Sequence, residues 1–465
     1  MNKSTGIFVL ALSALVAFGI ESTLDAQPVH SAGGNSLLDA ESFELENGFR
    51  IIVQPDRRAP IIVSQVWYRV GSAHEHDGIT GISHMLEHMM FKGTKNLKSG
   101  EFSKIVSQEG GVENAFTSND YTAYYQKWAS KNLEVSIKLE AERMRRLVLK
   151  DEEFQKERAV VLEERALRVS DNPLGDMRER FRATAFMSSP YRQPIIGWQK
   201  DIENYKLEDL KVWYDKYYHP SNATLVVVGD VSPDNVFKLA KKYFGGFPPV
   251  QLQQKINRLE EPQKGTKRLN IISEKAKIRT LMMAYKVPSL PALKMLTDSS
   301  EDEVYALEVL ANVLGGYDGA RLDRKIVREL KLANSISISY SPTSLLPDLL
   351  TIVAFPTNGT SLEDLEDAIK KELAEISLKP PEENELKKVV AQAISSSVYE
   401  RDSISYQAIL IGSLDAVGLD WRIKDSYADK IKGISSAQIM QAAQKYLKSN
   451  LLTVATMVPG EKDED

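Results

Sequence analysis

Two histidines, His84 and His88, stand four residues apart within Gly81-Ile82-Ser83-His84-Met85-Leu86-Glu87-His88-Met89-Met90-Phe91-Lys92-Gly93-Thr94, and Glu87 directly precedes the second. On a helix, positions i and i+4 share one face about a turn apart, so both imidazoles can grip one ion. Glu87, three residues after His84, falls in the same quadrant. Two neutral imidazoles and one further protein ligand leave a position for water on a catalytic zinc. A carboxylate beside that water can take its proton and later deliver it to a leaving amine. Two histidines do not complete such a site, and the missing ligand has to come from another part of the chain.

Candidates lie in Lys156-Glu157-Arg158-Ala159-Val160-Val161-Leu162-Glu163-Glu164, within a helix expected over Glu152 to Val169 and ended by Asp171-Asn172-Pro173. Glu157 and Glu164 are seven apart, two turns along one face, with Val161 on the same stripe. A carboxylate on a buried stripe needs a compensating cation, and zinc would be one; a neighbouring Arg or Lys would be another. Glu163 is rotated by about 100° and reads as solvated. Of the six histidines in the chain, His74 and His76 read as loop residues and His219 as a residue before a strand, none with a metal role.

The elements that must hold these side chains follow from patterning. Phe43 to Leu45, Asn47-Gly48 and Phe49 to Val53 predict a hairpin with a tight primed turn, and Ile61 to Val70 another strand. A short helix over Glu101 to Gln108 stops at Gly110-Gly111. Val112 to Ser118 and Tyr121 to Trp128 predict paired strands, either an ordinary hairpin or an exposed edge to which an extended peptide can add through backbone hydrogen bonds. An amphipathic helix is expected from Asn132 to Leu149.

Composition bounds the rest. The chain has 465 residues, 43% of them hydrophobic and 26% charged, which is globular and long enough for more than one core. A net charge of −5 argues against nucleic acid as the main partner. With no cysteine, metal ligands must be N and O atoms and disulfides are excluded. Met1-Asn2-Lys3 followed by the apolar run Ile7 to Ile20 and a cut after Ala26 or Ala32 reads as a secretory signal peptide, taken as 1–26, which with the absence of cysteine points to a bacterial periplasm. An uncleaved anchor is the competing reading. No later stretch is long and apolar enough to span a bilayer.

The sequence resembles the pitrilysin (insulinase-like) family of zinc peptidases, which carries the inverted His-x-x-Glu-His motif, and within it the bacterial and mitochondrial-processing-type members. The resemblance rests on that motif, on the 75 residues between His88 and Glu164, on the Glu157/Glu164 pair, on Phe91-Lys92-Gly93-Thr94 and on Asn114-Ala115-Phe116-Thr117. It implies that His84, His88 and Glu164 bind zinc, that Glu87 is the base and that Glu157 supports the site from behind. It also makes Asn114, Ala115, Phe116 and Thr117 a substrate-docking edge strand.

Trp213 to Asp230 reads as helix, turn and buried strand, and Gln444 to Gly460 repeats that pattern. The repetition predicts an α+β fold of two homologous domains, each of helices packed on a mainly antiparallel sheet. The expected division is 35–245 for the zinc-binding domain, 246–266 for a linker and 267–465 for a second domain without metal. Val304 to Gly316 stands where the metal helix would be and has no histidine, so one zinc per chain is expected. Active relatives carry an Arg and, a few residues on, a Tyr that reach the substrate carbonyl. Here Arg328 is in place, but Asn334 stands where the Tyr is expected. Either Asn334 serves weakly or a partner chain supplies the pair, as in relatives that pair a zinc chain with a zinc-less one.

The sequence therefore points to a zinc-dependent endopeptidase acting on peptides or unfolded segments in a chamber formed by paired chains, with Glu87 as base toward a metal-activated water. A non-hydrolytic peptide-binding or assembly subunit is the alternative; an intact Glu87 speaks against it.

Overall fold

The computed structural model describes residues 40–251, 258–296 and 300–460. The segment expected to be a signal peptide, the acidic tail after Gly460 and part of the expected linker lie outside these. Among the described residues, two sheets organise the chain. The first contains β1 (Glu41–Glu44), β2 (Arg50–Pro55), β3 (Ile61–Tyr68), β4 (Val112–Thr117), β5 (Thr122–Ala129) and β6 (Ala223–Gly229), in the order β1-β2-β6-β3-β5-β4. The second contains β7 (Lys267–Ser273), β8 (Thr280–Val287), β9 (Ala333–Ser339), β10 (Asp348–Pro356) and β11 (Leu452–Pro459), in the order β7-β11-β8-β10-β9.

With β1 set aside, the two orders are the same: first strand, last, second, fourth, third. Pairing directions repeat as well, since β6 is parallel to β2 and antiparallel to β3, while β11 is parallel to β7 and antiparallel to β8. The helix-turn-strand endings correspond too. Leu207–Tyr217 leads through a short 3₁₀ turn at Pro220–Asn222 into β6, and Ser436–Tyr446 leads through Ser449–Leu451 into β11. The expected α+β fold of two homologous, mainly antiparallel units is what the chain adopts. β6 is buried along its whole length, which suits a central strand made of Ala-Thr-Leu-Val-Val-Val.

The β1–β2 hairpin departs from the primed turn. Only Gly48 has a positive φ, of 80°, and Asn47 does not. Its side-chain amide instead donates to the carbonyls of Phe244 and Phe247, both at 2.9 Å, so the turn is set by a long-range anchor rather than by two left-handed residues.

The helices that matter for the site are α1 (Ile82–Met89), α2 (Glu101–Gln108), α3 (Leu133–Arg146), α4 (Asp151–Arg165) and α5 (Pro173–Ala185). Asp171-Asn172-Pro173 ends one helix and starts the next. The Asn172 side chain accepts from Gly175 N and Pro173 occupies the first turn of α5, where its missing N–H costs nothing.

The two halves are interlocked. α5 packs on β7 and β11, where Met177, Phe181 and Ala185 share an apolar cluster with Met282, Ala284, Ala455 and Met457. In return the helix Ile404–Ala416, from the second half, lies across β3 and β6 of the first sheet. It approaches so closely that a Cβ at Gly412 would sit 2.1 Å from the Trp67 indole. At the end of this helix the fully buried Asp415 pairs with Arg50 at 2.5 Å and Arg69 at 2.8 Å, and accepts from Thr224 Oγ1 at 2.6 Å. Across another seam, Tyr191 donates to Asp120 at 2.7 Å and accepts from Leu346 N at 3.1 Å.

Candidate metal centre

α1 is short, and its entry is built from backbone. Gly81 sits at φ 85°, where an L side chain is strained, and a Cβ there would meet Ile196 O at 2.3 Å. The Glu75 carboxylate accepts from Gly81 N at 2.6 Å and Ser83 N at 2.9 Å, filling the role of an N-cap from six residues upstream. Ile82, Met85, Leu86 and Met89 go into the core, which turns the other side of the helix, with His84, Glu87 and His88, toward α4 and β4.

α4 opens with Asp151, Glu152 and Glu153, favourable against the helix dipole. Phe154 and Val161 anchor its buried stripe, and Glu157 and Glu164 interleave with them at spacings of three and four. This places both carboxylates opposite α1. Glu163 is exposed, as its rotation on the helix requires.

Glu164 Oε2 lies 3.3 Å from His88 Nε2, and Glu164 Oε1 lies 3.7 Å from His84 Nε2. One ligand atom from each of His84, His88 and Glu164 falls within 4.8 Å of the others, a spacing and an N/N/O donor set that fit a zinc ion with an open position. His88 presents its other nitrogen, Nδ1, to Glu157 Oε2 at 3.3 Å, and Glu157 Oε1 receives the Lys92 ammonium at 2.6 Å. His84 Nδ1, by contrast, is buried without a hydrogen-bond partner. Glu164 Oε1 is also paired with Arg168 at 2.8 Å, from the π-type turn Ala166–Ser170 that continues α4.

Charge around this group is set mainly by burial. Burial pushes the Glu87 carboxyl above its ordinary range, against a 2.5 Å hydrogen bond from Thr117 Oγ1 and the field of His88. Burial holds the His84 imidazolium down to about 4. The hydrogen bond from His88 lowers Glu164, against the effect of its burial. A buried carboxyl raised in this way, beside the His84/His88/Glu164 group, marks the cluster as a candidate functional site.

The other residues singled out in the sequence divide. β4 is the edge strand of its sheet, carrying Asn114, Ala115, Phe116 and Thr117. Its last residue, Thr117, touches Glu87, while Phe116 packs edge-on against Trp67 at 5.4 Å. Arg328 is exposed and pairs with Asp323 at 2.8 Å in its own π-type turn, and the Asn334 amide donates to Pro356 O at 2.9 Å. None of the described contacts joins either residue to the His84/His88/Glu164 group. His74 accepts from Gly71 N at 3.2 Å, and His219 Nε2 lies 3.2 Å from Lys216 O, both away from the group. Sequence reading missed Lys92, Arg168 and Glu75. Lys92 left a signal there, inside the Phe-Lys-Gly-Thr that follows the histidines, and Arg168 another, four residues after Glu164 on the expected helix.

Known proteins resemble this chain. Residues 50–198 match the insulinase (peptidase M16) family, and residues 204–393 match the peptidase M16 inactive domain. The chain is 32% identical to the zinc protease PqqE of Helicobacter pylori, over 97% of this chain and 98% of that protein. A solved protease from the same organism superposes with a TM-score of 0.84 at 32% identity, covering 91% of this chain and all 100% of that one. The first half of the periplasmic protease PqqL from Escherichia coli superposes with a TM-score of 0.74 over 90% of this chain and 92% of that one. At 19% identity that likeness speaks for the fold alone.

Proposed function

Because this chain belongs to the peptidase M16 (insulinase) family and is a metallopeptidase, we propose that it is a zinc endopeptidase with His84, His88 and Glu164 as the ligands of a single ion. Glu87 is then its general base and acid, and Glu157 a support behind His88. The observation that carries the reading is the convergence of the three ligand atoms within 4.8 Å of one another, with the carboxylate of Glu87 on the same face of α1.

The site is read as follows. Zinc, when bound, supplies a Lewis acid that polarises the scissile carbonyl and acidifies a water. Burial disfavours the charged form of His84. At His88 burial is outweighed by Glu164 and Glu157, which hold its pKa up, so Nε2 would take zinc in place of a proton while Glu157 faces Nδ1. Glu87 takes a proton from the attacking water and returns it to the leaving amine. Thr117 holds one Glu87 oxygen and so leaves the other free for that transfer. An extended substrate adds to the open edge of β4 through Asn114 to Thr117, which brings backbone amides beside the base without demanding a particular sequence.

The chamber belongs to the same proposal. One chain of two units encloses a substrate when a second chain faces it, and the likeness to the first half of PqqL supports a counterpart of equal size. A partner, identical or zinc-less, then supplies the Arg/Tyr element, with Arg328 as this chain's own contribution to substrate binding. The division at 246–266 into a zinc-binding unit and a unit without metal is part of this reading, supported by the break between β6 and β7. Export to a periplasm rests on the 1–26 pattern and on the periplasmic setting named for PqqL; among the described residues no helix is long and apolar enough to cross a membrane.

The test is cleavage of a quenched fluorescent peptide by the purified chain, alone and with any co-purifying partner, with and without a chelator. Turnover that the chelator abolishes and zinc restores supports the reading. No turnover in any arm would leave only a peptide-binding role.

A further inference from the structure

One cation in the centre has no part in the chemistry just described and is placed to govern it. Lys92 lies just beyond α1, in a turn whose backbone is fixed on both sides: Lys92 N donates to Met89 O at 3.0 Å and Val148 N donates to Gly93 O at 2.9 Å. Its ammonium meets Glu157 Oε1 at 2.6 Å, and both side chains are largely shielded, at 23% and 13% exposure. The second Glu157 oxygen faces His88 Nδ1 at 3.3 Å.

We propose that Lys92 is a positioning residue for the zinc centre, acting through Glu157 on His88. This rests on the assignment of His84, His88 and Glu164 as ligands. A carboxylate on a helix can rotate about its last bonds, and with only a 3.3 Å contact to His88 its aim would be loose. Pinning one oxygen to a fixed cation aims the other at Nδ1. A carboxylate at Nδ1 keeps the proton on that nitrogen, leaving the Nε2 lone pair directed at the metal position. His84 has no such tether, so the orientation of the pair is carried by the His88 side. Lys92 also supplies the positive charge that shielded Glu157 needs whether or not zinc is present.

Arg168 provides an internal contrast. It too pairs with a carboxylate of α4, but with Glu164, a proposed ligand, and its side chain is 70% exposed. There a cation competes with zinc for the same oxygens, so removing it does not weaken the metal. The two cations therefore have opposite expected signs.

The experiment measures zinc affinity of the metal-stripped full chain by competition with a chromophoric chelator, and the visible spectrum of the cobalt-substituted protein. Lys92→Met is expected to weaken zinc by about 10- to 100-fold and to change the cobalt bands. Lys92→Arg recovers part of the loss, and Lys92→Met with Glu157→Gln is no weaker than Glu157→Gln alone. Arg168→Gln binds zinc at least as tightly as the parent. Circular dichroism of each variant checks that the fold is kept. Parent-like affinity in Lys92→Met, or additive losses in the double variant, would overturn the proposal while leaving the ligand assignment intact. Parent-like affinity in Glu164→Gln would remove the ligand assignment, and the role of Lys92 with it.

Discussion

In the first half of the chain, the helix after β3, α1, buries one side and presents His84, Glu87 and His88 from the other. Its counterpart in the second half, Glu301–Gly315, follows β8 in the same way but is buried nearly all round from Val304 to Leu314. The one acidic side chain in its middle, Glu308, accepts from Tyr427 OH at 2.8 Å and faces no histidine. The strand order is the same in both halves; what the helices carry is not. Sheet order is fixed by which strands can be buried on both faces, a constraint that acts on a whole pattern of residues. A catalytic set depends on a few side chains on one helix face, and those can be lost without moving a strand. The second half thus keeps the strand order of the first, and the two cover one another's sheets.

The largest effect that tests this contrast is on turnover. Glu87→Gln is expected to lower kcat by about 10²- to 10⁴-fold, the usual worth of a positioned acid–base group, with zinc still bound. Glu308→Gln, at the matching helix, leaves kcat unchanged. A comparable loss in both, measured on the same fluorescent peptide, would erase the proposed division of labour.

Next come changes where the halves meet. Replacing Gly412 by Val drives a side chain into the Trp67 ring and is expected to cost about 1–3 kcal/mol in urea unfolding. Asp415→Asn leaves Arg50 and Arg69 without their shared carboxylate and is expected to cost a similar amount, about 1–3 kcal/mol. Both variants should unfold in a single transition, because each sheet is covered by a helix of the other half. Two separated transitions would show units that fold independently.

The smallest expected effects are in pH dependence, and they have opposite signs. Burial raises Glu308 to about 7, only partly opposed by Tyr427, so its contribution to stability is full below pH 4.5 and is lost as the pH rises through about 7. Glu260, in the segment joining the halves, is raised by burial but lowered further by Lys286 and by the amides of Met187, Ser188 and Ser189, to about 2. Its contribution is present above pH 4.5 and is lost as the pH falls through about 2. Thermal unfolding from pH 2 to 8 should show the Glu260→Gln difference fading on the acid side and the Glu308→Gln difference changing between pH 4.5 and 7. Parallel curves across the range would sink both assignments.

Much of the centre was legible because its spacing is local. His84 and His88 at four apart, and Glu157 and Glu164 at seven, name their helix faces from the sequence alone. The duplication was legible for the same reason, since the helix-turn-strand endings read alike. What escaped lies in long-range contacts. Ile404–Ala416 carries Ile, Leu and Ala all round, interrupted by Gln407 and Asp415, which says that it is buried but not that it crosses the sheet of the other half. The amphipathic pattern of α5 likewise names a buried face and not the surface it meets. Glu75 reads as an ordinary loop charge, because nothing in its neighbours' identities reveals a helix entry; Arg168, four residues after Glu164 on the expected helix, stood within reach of an i,i+4 reading. Asn47 was read as half of a turn when its side chain is a tether.

The exchange of helices across the two sheets bears on how a peptide gains entry. With α5 holding the second sheet and Ile404–Ala416 holding the first, the halves do not swing apart as a clam shell, since that would strip the cover from both cores at once. Severing the peptide bonds between β6 and β7 would leave two fragments that travel together. Under the proposed chamber of paired chains, a substrate would then be admitted by parting whole molecules, or at the rim of β4, without a hinge inside the polypeptide.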